Sequence, residues 1–258
     1  MLSDRRLVLL ATRGESTTIV YNFLAEQFGV TRVILENRVP RSQFLRRRVK
    51  KLGLLTVAGQ VGFVSLVRPI LERESCSRVA EIKQTFRLND APIPETEITR
   101  VSSVNTPDTA ALLHDLHPDV VVINGTRIIS KRTLESVPVP FINIHAGITP
   151  LYRGVHGAYW ALVERNRKAC GVTVHRVDTG IDTGGILGQA LIEPSREDNF
   201  VSYPLLQLAS ALPLLKTAIE GVLNGTATTL PPPRGVSRLW SHPTLWGYFG
   251  NRLVHGVR

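Results

Sequence analysis

Hydrophobic positions along the chain fall into short continuous runs separated by stretches of helical periodicity. "RLVLLA" (Arg6 to Ala11) and "TRVILE" (Thr31 to Glu36) read as strands buried on both faces, and Ser16 to Phe28 between them reads as a helix. A β-α-β opening of this kind belongs to a parallel sheet. The pattern returns at Thr106 to His117, where Thr106 as N-cap, Pro107 in the first position and Asp108 in the first turn predict a helix. "PDVVVIN" then supplies a strand, Phe141 to His145 another, and His156 to Asn166 a helix. Two β-rich runs, Gly171 to Asp178 and Gly184 to Glu193, flank the turn "TGIDT". A long helical zone covers Asn199 to Asn224, with Pro204 and Pro213 as expected breaks. Strands alternating with helices predict an α/β fold with a mostly parallel sheet and flanking helices.

Two regions depart from this alternation. Arg38 to Glu97 reads as a basic helix, an apolar helix and a segment rich in Pro and acids, and is expected to be an insertion or lid. Its apolar stretch, Leu52 to Val67, contains three glycines and Gln60 and falls short of a spanning helix, which favours a soluble protein. Residues 225–258 read as a Pro-rich linker and an aromatic, basic tail. Trp240, Trp246, Tyr248 and Phe249 are expected to pack on the main domain or on a second subunit of a homodimer, with stacking on a substrate ring as the alternative.

Composition adds limits. With 43% hydrophobic and 20% charged residues and no solenoid-length repeat, the chain is expected to fold throughout most of its 258 residues. The two cysteines, Cys76 and Cys170, could pair only with each other, and no Cys/His cluster has metal spacing. A cytoplasmic setting and a metal-free mechanism follow as defaults, so no residue is assigned to a metal. The apolar run at the N-terminus is too short for a secretion signal. The net charge of +10 is concentrated in Arg41, Arg46, Arg47, Arg48, Lys50 and Lys51, with no acid among them. Such a run suits a phosphate-bearing substrate, a nucleic acid such as tRNA, or, with the adjoining apolar residues over 41–67, an anionic membrane surface; a solvated helix face is the plain alternative.

Candidate chemistry centres on "FINIHAGITP" (Phe141 to Pro150). Successive side chains on a strand point to opposite faces, so Asn143 and His145 share one face while Ile142 and Ile144 take the other. Gly147 and Pro150 mark an abrupt exit, and ligands of open α/β sheets bind beyond the carboxyl ends of the strands. Taken alone, Asn143 could equally cap a turn and His145 could be a satisfied core histidine. In "DTGIDTGG", glycines on both sides of Asp182 permit a tight backbone path that aims one carboxylate inward, although a polar hairpin would use the same residues. Gly14, Ser16 and Thr17 sit at the first strand-to-helix turn, where backbone N–H groups could bind an anion and the hydroxyls could cap the helix.

Together, "FINIHAGITPLYRG" and "GVTVHRVDTGIDTGGILGQ", preceded by "DVVVINGTRIISKRTL", resemble the folate-dependent formyltransferases, the family of glycinamide ribonucleotide, methionyl-tRNA and sugar N-formyltransferases. The resemblance covers Thr106 to Glu193. It implies a Rossmann-like catalytic domain over 1–224, with 38–97 divergent and 225–258 a short extension. It also implies 10-formyltetrahydrofolate as formyl donor and co-substrate, and an amine acceptor. Matched by motif, Asn143, His145 and Asp182 would be catalytic. Gly125, Thr126, Arg127, Ile128 and Ile129, with Thr179, Gly180 and Ile181, would line the pterin pocket, largely through backbone groups. Gly14, Ser16, Tyr152, Arg153, Gly154 and His156 are assigned to the acceptor. The chain departs from many members at Ala146 to Thr149, which bears on the contacts of that loop. An amino-sugar nucleotide is the preferred acceptor, with glycinamide ribonucleotide, methionyl-tRNA and water (hydrolysis of the formyl donor) as alternatives, and a non-catalytic folate- or membrane-binding protein as the contrasting class.

Overall fold

A computed structural model describes residues 5–258; residues 1–4, part of the segment read as lacking a secretion signal, lie outside the described residues. Five strands form a parallel set: β1 (Leu7–Thr12), β2 (Arg32–Glu36), β3 (Ile98–Val101), β4 (Val120–Asn124) and β5 (Phe141–His145). A short β6 (Tyr152–Gly154) stands apart; β7 (Gly171–Arg176) extends the sheet antiparallel to β5, and β8 (Ile186–Leu191) pairs antiparallel to β7, in the order β3-β2-β1-β4-β5-β7-β8. The order reverses between β1 and β4, and such a switch point opens a crevice at the carboxyl ends of the strands.

The parallel strands are apolar on both faces because helices cover both. Leu7, Leu9 and Ala11 of β1 join the larger core, and Val8 and Leu10 join the smaller one on the opposite face. The larger core packs under α1 (Glu15–Gln27) and the long terminal helix of the domain; the smaller packs under α6 (Pro107–Leu116) and α7 (Lys131–Leu134). As expected from sequence, Thr106 caps α6 by accepting from Thr109 N, and Pro107 occupies the first turn. At α1 the N-cap is instead Gly14, and no hydroxyl caps the helix. Thr17 Oγ1 donates to Thr12 O at 2.6 Å, and Asn124 Nδ2 donates to Ser16 Oγ and Thr17 Oγ1, so these hydroxyls tie α1 to β1 and β4.

The region read as an insertion or lid folds as α2 (Arg41–Leu52), α3 (Leu54–Gly62), a π-helical turn (Phe63–Val67), α4 (Arg68–Glu74) and α5 (Cys76–Thr85). It places Phe63, Val67, Leu71 and Ile82 in the main core, while α2 buries no residue. The apolar stretch therefore does not stop near Val67. Leu54–Glu74 is one helical path of 21 residues, long and apolar enough to cross a membrane, as is Tyr203–Leu223. Pro69 is tolerated because it enters in the first turn of α4, just after the π turn. The strand β3 that follows was not assigned from sequence, since Ile98-Thr99-Arg100-Val101 has neither a continuous apolar run nor a two-residue alternation.

α8 (Gly157–Val163) is shorter than predicted. α9 (Tyr203–Leu223) is unbroken, a correction to the breaks expected at Pro204 and Pro213. Pro204 lies in the first turn, where no N–H is needed, and burial of residues such as Ala211, Leu212 and Leu215 holds the helix through Pro213. The tail returns to the domain: β9 (Arg238–Trp240) pairs parallel with β6, Trp240 stacks on Trp160 at 4.5 Å, and α10 (Leu245–His255) buries Tyr248. Trp246 and Phe249 stay exposed. The two cysteines are unpaired, Cys76 at the surface and Cys170 buried, where burial pushes its thiol up to about 12.

Candidate functional site

Asn143 and His145 end β5, two residues apart on one face, and the antiparallel register sets Asn143 opposite His175 and His145 opposite Thr173. Asn143 Nδ2 lies 3.1 Å from His175 Nε2, and His175 Nδ1 lies 2.7 Å from Arg176 O. A ring that gives its Nδ1 proton to a carbonyl offers Nε2 as an acceptor, so the amide donates to it and its orientation is set. Burial, chiefly, lowers the His175 pKa and keeps the ring neutral, as this acceptor role requires. Sequence reasoning passed over His175. The available signal was its place in "GVTVHRVD", where Thr173 and His175 put polar groups on one face of a strand whose other face carries Val172 and Val174.

His145 is buried. Its Nε2 is 2.7 Å from Tyr152 O and donates to it, which turns Nδ1 toward Asp182 Oδ1 at 3.4 Å. That edge therefore holds a proton only when the ring or the carboxyl group carries it. Asp182 Oδ2 accepts from Gly154 N at 3.0 Å, and Oδ1 lies 3.9 Å from His175 Nε2. The carboxylate thus stands between two imidazoles with one oxygen pinned by backbone.

The loop that presents Asp182 has a local cause. Asp178 Oδ1 accepts from Gly180 N at 2.9 Å and from Thr183 Oγ1 at 2.8 Å, an Asx turn that starts the reversal. Asp182 itself has φ 52°, in the left-handed region that Asp tolerates better than most residues. A Cβ at Gly184 would strike the Arg176 carbonyl, so only glycine closes the loop against β7. Arg153 Nη1 donates to Ile181 O at 3.2 Å and joins the loop to β6.

The opposite wall is the segment after β4, Gly125 to Ile129. Gly125 has φ 69°, and the segment is held from below by the buried Glu36 at the end of β2. Glu36 accepts from Arg127 N at 2.7 Å and from Val104 N at 3.2 Å, and pairs with Arg127 Nε at 2.6 Å. The Arg127 guanidinium is therefore spent on the protein, and this wall offers a ligand mainly backbone and the side chain of Ile128. Glu36 was also missed from sequence, being the last letter of an ordinary strand.

These walls enclose a cavity of about 380 Å³ that contains Asn143, His145, Asp182, His175, Gly154, Gly180, Ile181 and all of Gly125 to Ile129. Thr179 is not on its wall. The residues assigned to an acceptor divide. Ser16 and His156 line a second cavity of about 430 Å³ with Arg68, Glu72 and the apolar Phe200 and Leu205, and Gly14 caps α1 nearby in the chain. Consecutive residues, Val155 and His156, wall the first and second cavities. The His156 ring sits 4.1 Å from that of Phe200 and 3.0 Å, Nε2 to Nδ1, from His242; burial, then His242 and Arg68, hold its pKa well below the ordinary value. Tyr152 gives the site only its carbonyl. Its phenol donates to Glu164 at 2.8 Å and is pushed up to about 12, chiefly by burial.

Residues 72–203, just over half of the chain, match the family model described as formyl transferase, a range that holds Asn143, His145 and Asp182. Among curated proteins, the methionyl-tRNA formyltransferase of Acetivibrio thermocellus is 29% identical over 140 residues, 53% of this chain and 44% of that protein. That of Desulfotalea psychrophila is 33% identical over 132 residues, 50% of this chain and 40% of that protein. The chain thus matches less than half the length of these relatives. Among solved structures, a sugar N-formyltransferase from Shewanella sp. superposes with a TM-score of 0.55 at 17% identity, over 91% of this chain and 76% of that one. Glycinamide ribonucleotide transformylase 1 from Symbiobacterium toebii gives 0.56 at 20%, over 91% and 94%. The N-formyltransferase from Helicobacter canadensis, in complex with folinic acid and dTDP-3-aminofucose, gives 0.54 at 15%, over 92% and 70%. These likenesses show a shared fold, and with the matched family range and the sheet order they lead to one conclusion: the chain belongs to the formyl transferase family.

Proposed function

We propose that this protein transfers a formyl group from 10-formyltetrahydrofolate to a primary amine, with an amino-sugar nucleotide as the preferred acceptor. The observation that carries this reading is the convergence of Asn143, His145 and Asp182 on one cavity wall, facing the backbone-rich segment Gly125 to Ile129. Attack of the amine on the formyl carbon puts negative charge on the formyl oxygen, which needs a preorganised donor. Asn143, its orientation set by His175, has one amide N–H committed and one left to give. As the new C–N bond forms, the attacking nitrogen must lose a proton, and as the old bond breaks the folate nitrogen must gain one. The Asp182–His145 pair can hold that proton between the two events, since the second carboxylate oxygen is fixed by Gly154 N–H and the far ring nitrogen by the Tyr152 carbonyl. Segment 125–129 and loop 180–181 would bind the pterin through main-chain groups.

Support for the acceptor comes from the fold neighbours named as sugar N-formyltransferases, one of them holding dTDP-3-aminofucose, and from the second cavity beside His156. The curated relatives are methionyl-tRNA formyltransferases, so tRNA is the chief rival. The test is to follow tetrahydrofolate release from 10-formyltetrahydrofolate with amino-sugar nucleotides, glycinamide ribonucleotide, charged initiator tRNA, or no acceptor. Turnover that requires an amino-sugar nucleotide is expected. Turnover confined to tRNA or glycinamide ribonucleotide rejects the acceptor, turnover without any acceptor makes the protein a hydrolase, and near-normal activity in Asn143, His145 and Asp182 variants rejects the mechanism.

A further inference from the structure

The face built by α2, α3 and α10 has a composition that formyl transfer does not use. Residues Val57, Gln60, Phe63, Val67 and Leu71 form the inward stripe of the helical path Leu54–Glu74, and through this stripe the path packs along the domain. Its outward side is apolar: Leu54 and Leu55 are 71% and 74% exposed, and Leu66 is also open. α10 continues this side. Trp246, Phe249, Leu253 and Val254 recur at helical spacing on its solvent face, Leu253 at 86% exposure, while Tyr248 points inward. The two apolar surfaces meet, because the indole of Trp246 lies so close over Gly59 that a Cβ there would strike it.

Beside this apolar surface lies α2, with Arg41, Arg46, Arg47, Lys50 and Lys51 exposed and no acid in the helix. Gln60 fixes the arrangement: its Oε1 accepts from Arg48 at 2.7 Å, and its Nε2 donates to Ser241 Oγ at 3.2 Å and to His242 O at 2.8 Å. The acids at the far end of the path are already paired, Glu72 with Arg68 and Glu74 with Arg258. Water-facing leucines next to an unneutralised basic helix make a surface that is both apolar and cationic. A second protein copy would bring like charge against α2, and RNA would leave the leucines in water. An anionic bilayer accepts both, apolar side chains below the headgroups and basic ones among them. We infer that this face docks the protein on an anionic lipid surface, with α3 and α10 lying in the interfacial plane.

The inference is independent of the formyl transfer reading and is tested without an activity assay. The intact chain is sedimented with vesicles of phosphatidylcholine alone or mixed with phosphatidylglycerol, with tryptophan fluorescence recorded in parallel. Binding is expected only to the anionic vesicles, weakened by salt, with a blue shift that Trp246→Phe removes. Each basic residue removed should weaken binding by roughly fivefold, so Arg46→Gln/Arg47→Gln/Lys50→Gln should cost roughly a hundredfold. Leu54→Ser/Leu55→Ser/Leu253→Ser should abolish the blue shift, and since all these side chains are exposed, melting temperatures should stay at the parent value. Failure of the parent protein to bind anionic vesicles, equal binding to neutral ones, or binding unchanged in both triple variants overturns the inference. So does a dimer that the serine variant dissolves, or displacement by RNA without a blue shift, which assign the face to a second copy or to nucleic acid.

Discussion

His175 stands directly across the β5–β7 pairing from Asn143, and its Nε2 meets the Asn143 amide at 3.1 Å while its Nδ1 is spent on the Arg176 carbonyl. An oxyanion donor is useful only when aimed beforehand, so His175 is a positioning residue for the proposed reaction. His175→Phe should lower kcat by roughly a hundredfold with little change in KM, and His175→Gln, which can restore an acceptor, should recover part of the loss. Equal kcat in the parent and Phe variants would remove the role.

Asp182 combines a left-handed backbone with a carboxylate held by Gly154 N–H. Asn tolerates that conformation and keeps an acceptor, so Asp182→Asn should melt with the parent protein yet lose about two to four orders of magnitude in turnover. A variant that loses activity and structure together would mean that the carboxylate serves the loop and not the proton.

Glu36 supports the wall opposite Asn143 through Arg127 N, Val104 N and the Arg127 guanidinium. Glu36→Ala leaves these donors unpaired and should destabilise the protein by roughly 3 kcal/mol. Weaker binding of the formyl donor should accompany it. Denaturant titration and equilibrium binding of a formyl-folate measure the two effects separately.

His242 is held down at about 4, first by burial and then by Arg48 and Arg68, and it packs against the similarly depressed His156. The unfolded chain takes up protons on these rings below about 6.5, where the folded chain does not. The unfolded state then binds more protons, so stability falls as pH drops from about 6.5 to about 4. The melting temperature should fall through this window, and His242→Asn should lessen that fall by roughly 5 °C. An identical pH dependence in the variant would refute the assignment.

Much of this was legible in the chain. Apolar runs of strand length announced β1, β2, β4 and β5, since a strand covered on both faces can hold few polar residues, and the Thr106-Pro107-Asp108 start of α6 is a local signal that needs no tertiary context. The shared face of Asn143 and His145 follows from the two-residue period of a strand alone. What the sequence could not decide rests on contacts between distant residues. Pro213 is carried inside α9 because packing outweighs one lost backbone hydrogen bond. His175 and Glu36 gain their roles only when β7 pairs with β5 and the β4 loop closes over β2. Ser16 and His156 part from the Asn143 cavity because the fold puts α1 and α8 against α4 and α9. Local periodicity selects the elements; their pairing selects which polar side chains meet, and that depends on distances the linear order does not contain.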